Sequence, residues 1–324
     1  MTIAITGSTG FLGAVLIPML LEQGHQLRLL TRKKTEAVPG VVFVYGELLD
    51  TLVLDELVKG ADVTIHMAAM ISVSDRPEKE LFHVNTESTR LLIAASRAAG
   101  VKRFIFVSSI TAYCQAPYDE VLDELRGPSD NLPFGYDHSK AVAQEMALQN
   151  NLDGLEVLVL APTAVAGPYD HRPSLIGKAV LNMYRGKIPA LFPGGVDFVD
   201  VRDVSDAIVQ ALTKGTPGEA YILSGEWLTL SALAAHIGNI RGKRISLPVL
   251  PVWLIMGALP LVNVWAGLTG GAPYYTRQSV YNLIRSNRKI SNNKARTALQ
   301  FRPRPVSVTL ADTIQWFKQT GKLS

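Results

Sequence analysis

Met1-Thr2-Ile3-Ala4-Ile5-Thr6-Gly7-Ser8-Thr9-Gly10-Phe11-Leu12-Gly13 opens the chain and decides its fold. Residues 2–6 are the short, apolar, β-branched run that a buried parallel strand needs. Gly7, Gly10 and Gly13 follow, and apolar residues then run at helical spacing from Phe11 to Leu21. A strand that turns through glycines into a helix makes an anion site, because backbone N–H groups at the helix start point outward and missing Cβ atoms let a pyrophosphate approach. Gly7 is read as the tight turn, Gly10 as the close approach and Gly13 as the packing of helix on strand. Thr9, Phe11 and Leu12 complete the predicted loop contacts. The spacing is G-x-x-G-x-x-G, and by itself it serves equally well for an ordinary strand–turn–helix.

The rest of the first half supplies the context. Strands are expected at Leu27 to Leu30, Val41 to Tyr45, Val63 to Met67, Phe104 to Val107 and Val157 to Leu160, with helices at about Thr86 to Ala99 and Ser139 to Asn150. This rhythm predicts an α/β fold with a doubly wound parallel sheet, whose ligands sit at the carboxyl ends of the strands. The 324 residues, 48% of them hydrophobic, suffice for a large core and two lobes. The single cysteine, Cys114, excludes an internal disulfide and fits a reducing cytoplasm; the apolar N-terminus is read as the first strand and helix, and a signal peptide is not expected.

The net charge of +4 conceals an asymmetry. From Trp227 to Ala311 there are eleven Lys or Arg and no Asp or Glu. Such a bias is first a solvated basic face, and it also suits an anionic substrate or an acidic membrane surface. Nucleic acid is not expected, since no binding motif or basic–aromatic interleaving is present. No metal site is expected either.

At the end of the second strand an NAD enzyme usually places Asp or Glu to accept from the ribose hydroxyls. This chain has Thr31-Arg32-Lys33-Lys34. That turn predicts NADP(H) over NAD(H), with Arg32 as the leading ligand of a 2′-phosphate and Lys33 as its helper.

Ser108-Ser109-Ile110-Thr111-Ala112-Tyr113 follows the fifth strand, and Tyr136-Asp137-His138-Ser139-Lys140 comes later. Tyrosine and lysine four apart share one face of a helix. Such a lysine can lower a phenol from about 10 towards the working pH. Tyr136 can then move a proton at a carbonyl or alcohol oxygen that Ser109 holds, while a nicotinamide carries the hydride. His66 is read as a packed strand-end histidine.

Together the glycine loop, the serine and Tyr-x-x-x-Lys resemble the extended short-chain dehydrogenase/reductase family, the NAD-dependent epimerase/dehydratase superfamily. The resemblance spans nearly the whole chain. It implies a Rossmann-type domain at 1–168 and about 197–225, and a smaller, mostly helical substrate lobe at about 169–196 and 226–324. It implies Ser109, Tyr136 and Lys140 as the catalytic triad. It also implies cofactor contacts from Glu47 and Leu48, from Ala68 and Ala69, from Asn85, from Val107, and from Pro162, Thr163 and Val165. Glu47 stands where the family usually has Asp, and Ala161 where it usually has Arg. Asn85 resembles the helix asparagine that supports the site, and serves equally as a helix N-cap. A homodimer through two helices is a further implication.

Ile245 to Thr276 contains no charged residue. Pro248, Pro251 and Pro260 argue against one continuous membrane span. The stretch is read as an apolar wall of a substrate pocket, then as a surface that dips into a bilayer, then as a core helix. The flanking Arg277, Arg285, Arg288 and Lys289 suit a peripheral membrane contact or an acidic amphiphilic substrate. Within the family, sugar 4,6-dehydratases carry Thr-Asp-Glu at the catalytic strand end, where this chain has Ser109-Ile110-Thr111. The resemblance is nearest to the dihydroflavonol-reductase-like and 3β-hydroxysteroid-dehydrogenase-like branch. It implies NADPH-dependent reduction of a ketone or aldehyde on a hydrophobic small molecule. The alternatives are a nucleotide-sugar epimerase and, from another class, a non-catalytic NADPH-binding scaffold or redox sensor.

Overall fold

Alternation at the first strand sets the layers. In a computed structural model, Ile3 and Ile5 point to one face of the sheet and Ala4 to the other, all fully buried. The structure describes residues 1–72, 78–129, 135–152, 154–268 and 276–323, with 261–268 described by backbone alone. The elements run β1 (Thr2–Thr6), α1 (Phe11–Glu22), β2 (Gln26–Thr31), β3 (Val41–Tyr45), α2 (Thr51–Val58), β4 (Val63–His66), α3 (Lys79–Ala98), β5 (Arg103–Val107), α4 (Tyr136–Gln149), β6 (Glu156–Pro162) and β7 (Ala164–Ala166). They continue α5 (Leu175–Tyr184), β8 (Gly195–Asp200), α6 (Val201–Ala211), β9 (Glu219–Leu223), β10 (Glu226–Thr229), α7 (Leu230–Arg241), α8 (Val252–Leu268), α9 (Arg277–Ile284), α10 (Asn293–Ala298) and α11 (Val306–Gln319).

The main sheet has the order β3-β2-β1-β4-β5-β6-β9, parallel throughout. The order reverses between β1 and β4, which opens a crevice at their carboxyl ends. One face carries Leu16 and Leu20 of α1 with Val204 and Ile208 of α6. The other carries Leu54 and Leu57 of α2, Leu92 of α3 and Ala143 of α4. The predicted strands are present, each within a residue or two of its expected ends.

Three features depart from expectation. The helix expected from Thr86 begins at Lys79. α2 was not anticipated; the Asp50 carboxylate caps it by accepting from the Leu52 and Val53 amides. A small second sheet, β10-β8-β7, was also not anticipated, with β7 parallel and β10 antiparallel to β8.

The segment from α5 to β8 and the chain from β10 onward build a separate apolar cluster that includes Phe192, Phe198, Ile237, Val280, Leu310 and Phe317. Val252, Ile255, Met256 and Leu259 of α8 join that cluster at helical spacing. The Ile245 to Thr276 stretch therefore packs one face of α8 as a core helix does; the side chains of 261–275 lie outside the described residues. Among the described residues, no helix is long and apolar enough to cross a membrane.

Candidate active site

The glycine loop fits an anion. Gly7 has φ +77, the left-handed region, and a Cβ there would stand 2.7 Å from the Ala68 amide nitrogen. At Gly13 a Cβ would stand 2.1 Å from the Ser8 carbonyl oxygen, so the α1 backbone lies directly on the turn. Gly10 is the N-cap of α1, and no side chain caps the first-turn amides. The Ser8 hydroxyl donates to the Leu30 carbonyl at 3.2 Å, which ties the loop to the end of β2. A dinucleotide's pyrophosphate fits this bare helix start.

Beside it, the Thr31 hydroxyl donates to the Lys33 carbonyl and accepts from the Lys33 amide, folding the basic turn. Arg32, Lys33 and Lys34 are exposed, and no ion pair among the described residues engages them. Glu47 is exposed and Leu48 half-buried, just past the end of β3. Ala68 and Ala69 are half-buried past the end of β4, on the far side of the crevice.

β5 and α4 bring the three predicted catalytic residues together. Ser109 follows the end of β5, and its hydroxyl oxygen accepts from the Thr111 amide at 3.2 Å and the Thr111 hydroxyl at 3.0 Å. Tyr136 is the first residue of α4, and its phenol lies beside the Ser109 hydroxyl. One turn on, the buried Lys140 ammonium donates to the Val107 carbonyl at 2.8 Å and lies 4.7 Å from the Phe106 ring centre. Burial pulls Lys140 down to about 7. The Tyr136 phenol is pushed up, first by burial and then by the Asp137 carboxylate beside it. Burial and the Asp137 carboxylate thus oppose the lowering expected from the lysine. Asp137, buried beside Thr111, is itself raised to about 6 by burial.

Asn85 is not an N-cap. It lies inside α3, where its Oδ1 accepts from the Met70 amide at 2.8 Å. Its Nδ2 donates to the Met70 carbonyl at 3.0 Å and to the Ser139 hydroxyl at 2.9 Å. Ser139 in turn donates to the Tyr136 carbonyl at 2.7 Å, so Asn85 braces the start of α4. His66 is buried between Thr6 and Thr89 at 2.6 and 3.2 Å, and burial pushes it down to about 3. It is neutral and packed, as expected.

Thr163 falls outside the group as a side chain. Its hydroxyl donates to Asp197 at 2.6 Å and its amide to the Leu223 carbonyl, which locks β8 and β9 together. Pro162 ends β6, and Val165 pairs with Val199 in the small sheet. Thr111, Asp137 and Ser139 were not singled out from the sequence. Their signal was their place inside the two motifs, between or beside the triad residues.

A sequence model of the NAD dependent epimerase/dehydratase family matches residues 3–224. The chain belongs to that family. Sterol demethylase protein B of Methylococcus capsulatus is 30% identical over 329 residues, covering 100% of both chains. The 3 beta-hydroxysteroid dehydrogenase/Delta 5-->4-isomerase of Mycobacterium tuberculosis is 28% identical over 260 residues, covering 75% of this chain and 70% of that one. The crystal structure of gox2253 superposes with a TM-score of 0.80 at 30% identity, covering 100% of this chain and 99% of that one. This epimerase/dehydratase chain thus has the family's Rossmann-type sheet and an extended short-chain dehydrogenase/reductase motif set.

Proposed function

We propose that the chain is an NADPH-dependent reductase of a ketone or aldehyde on a hydrophobic, amphiphilic small molecule. The observation that carries this is the end of β2: three exposed cations, free of ion pairs among the described residues, stand where an NAD enzyme places its ribose-binding carboxylate. Gly7, Thr9, Gly10, Phe11, Leu12 and Gly13 would hold the pyrophosphate. Arg32, helped by Lys33, would hold the 2′-phosphate. When bound, the nicotinamide supplies a hydride.

The chain's own residues handle the oxygen. Ser109 holds the carbonyl oxygen and Tyr136 protonates it. The buried phenol beside Asp137 stays protonated, the form that a proton donor in reduction needs. The negative charge left on Tyr136 would be balanced by Lys140, one helical turn on, until solvent returns the proton. The substrate class is supported by the names of two relatives, one for sterol demethylation and one for hydroxysteroid oxidation.

The first test is a paired titration of the protein and of Arg32→Ala with NADPH and NADH. A preference for NADPH of about tenfold or more that collapses in the variant is expected. Equal binding, or preference for NADH, would bring the nucleotide-sugar epimerase forward. Turnover on a panel of apolar carbonyls is expected to fall by about a hundredfold or more in Tyr136→Phe, with cofactor binding retained. Tight NADPH binding without turnover of any carbonyl would favour the scaffold.

A further inference from the structure

Over its described side chains, 252–260, α8 is apolar on both sides, and one of the two sides is packed. Val252, Ile255, Met256 and Leu259 face the C-terminal cluster. The opposite positions, 253, 254, 257 and 258, are Trp, Leu, Gly and Ala, and all four are exposed. Trp253 keeps 74% of its surface in contact with solvent and Leu254 40%, and Val249, just before the helix, keeps 51%. A surface helix ordinarily carries charge on its outer face. This one carries none, and no charged residue occurs anywhere from Ile245 to Thr276.

The charge around the stripe has a single sign. Lys243 and Arg244 are exposed just ahead of it, and Arg277 and Arg285 are exposed on the helix that follows. The nearest carboxylates in sequence are Glu226 and Asp312. Lys243 and Arg244 also line a cavity of about 610 Å³ with Ser231, Asn239 and Ser246 and with apolar residues such as Leu191 and Leu247, in the segment that leads into α8.

We infer that the outer face of α8 is a docking surface for an anionic lipid bilayer, with Trp253 and Leu254 entering the interface and Lys243, Arg244, Arg277 and Arg285 meeting the headgroups. Three arguments select that occupant. A bilayer offers apolar depth behind a negative surface, which matches an apolar stripe with cations at its margins. A second copy would oppose the same cations across a two-fold contact, and no carboxylate lies between Glu226 and Asp312 in the sequence to offset them. Among the described residues α8 spans seventeen, about 25 Å, and no described helix is long and apolar enough to cross a membrane, so the contact proposed is one in the plane of the interface. The inference stands apart from the reductase reading, and its test needs no substrate.

The test is co-sedimentation of the full chain with phosphatidylcholine vesicles and with vesicles of phosphatidylcholine and phosphatidylglycerol. Partitioning onto the mixed vesicles, about tenfold or more above the neutral ones and reversed by high salt, is expected. Trp253→Ser/Leu254→Ser and, separately, Lys243→Glu/Arg244→Glu should each lower that partitioning by about tenfold with the melting temperature unchanged, because all four side chains are exposed. No binding, or equal binding to both vesicle types, overturns the proposal. So does a dimer in sedimentation velocity that Trp253→Ser/Leu254→Ser converts to monomer, since a second copy would then cover the stripe.

Discussion

Lys140 sits where its charge is least favoured. Its ammonium is buried, with the Val107 carbonyl as its hydrogen-bond acceptor and the Phe106 ring beside it. Desolvation therefore brings it from the ordinary 10.5 to about 7. Between those values the unfolded chain holds the proton and the folded chain does not, so this group's contribution to stability rises with pH through that window. Lys140→Met has no buried charge to relieve. Its melting temperature should exceed the parent's by several degrees near pH 7, and the advantage should shrink steadily towards pH 10. A constant difference across thermal melts in that range would refute the account. His66 works over a lower window: from 6.5 down to about 3 the unfolded chain gains a proton that the buried ring refuses, so its contribution is lost as pH falls. Both groups lie near the Phe106 ring, and His66 feels the Lys140 charge as a second cause of its depression.

At the scale of elements, the turn from β1 into α1 separates what folds the chain from what serves the site. Gly13→Ala drives a Cβ to within 2.1 Å of the Ser8 carbonyl oxygen, a backbone atom that cannot rotate away. About 2 kcal/mol or more should be lost in urea unfolding as α1 lifts from the turn. At Gly10 the Cβ meets only the Gly7 carbonyl oxygen at 3.2 Å, and φ is −83. Gly10→Ala should therefore unfold within about 1 kcal/mol of the parent while NADPH titration weakens, because the methyl occupies the approach to the bare amides. This turn was legible in the sequence because strand, glycines and helix are neighbours in the chain, and the same holds for Tyr136 and Lys140, one helical turn apart. Asn85 was legible only as a choice. Deciding it required knowing that α3 starts at Lys79, which places the amide mid-helix, where it reaches Met70 and Ser139. The role of Thr163 was hidden because its partner, Asp197, lies 34 residues on, in a short strand of a sheet that no local pattern announces. The upward push on Tyr136 was hidden for the same reason: burial is a property of the assembled fold, and a motif shows only the cation.

Across the whole molecule, an ionic network closes the C-terminal helix onto α6 and the end of β8. Asp200 caps α6 and accepts from Arg202, and Arg202 reaches on to Asp312 of α11 at 2.7 Å. The Thr309 hydroxyl of α11 donates to the same Asp200 carboxylate at 2.8 Å. Arg304, just before α11, pairs with Asp203 of α6 through its guanidinium and its own amide, and Asp203 is only 3% exposed. Burial holds Asp203 up at about 6 even with that cation beside it. Removing one partner of a buried pair leaves the other charged, desolvated and unpaired, which costs more than the pair itself contributes. Arg304→Met should then destabilise the chain by about 3 kcal/mol at pH 8. The sign of its pH dependence follows from Asp203. Without Arg304 the carboxyl moves still higher, so at pH 5 it is protonated in the folded chain and the orphaned charge is gone. Urea unfolding should show a markedly smaller loss at pH 5 than at pH 8, and an equal loss at both would mean that Arg304 acts by packing alone. If α11 is the last clasp between the two apolar clusters, hydrogen exchange in Arg304→Met at pH 8 should rise first along 306–319 and spare β1 to β6, since the sheet's own pairing does not pass through the network.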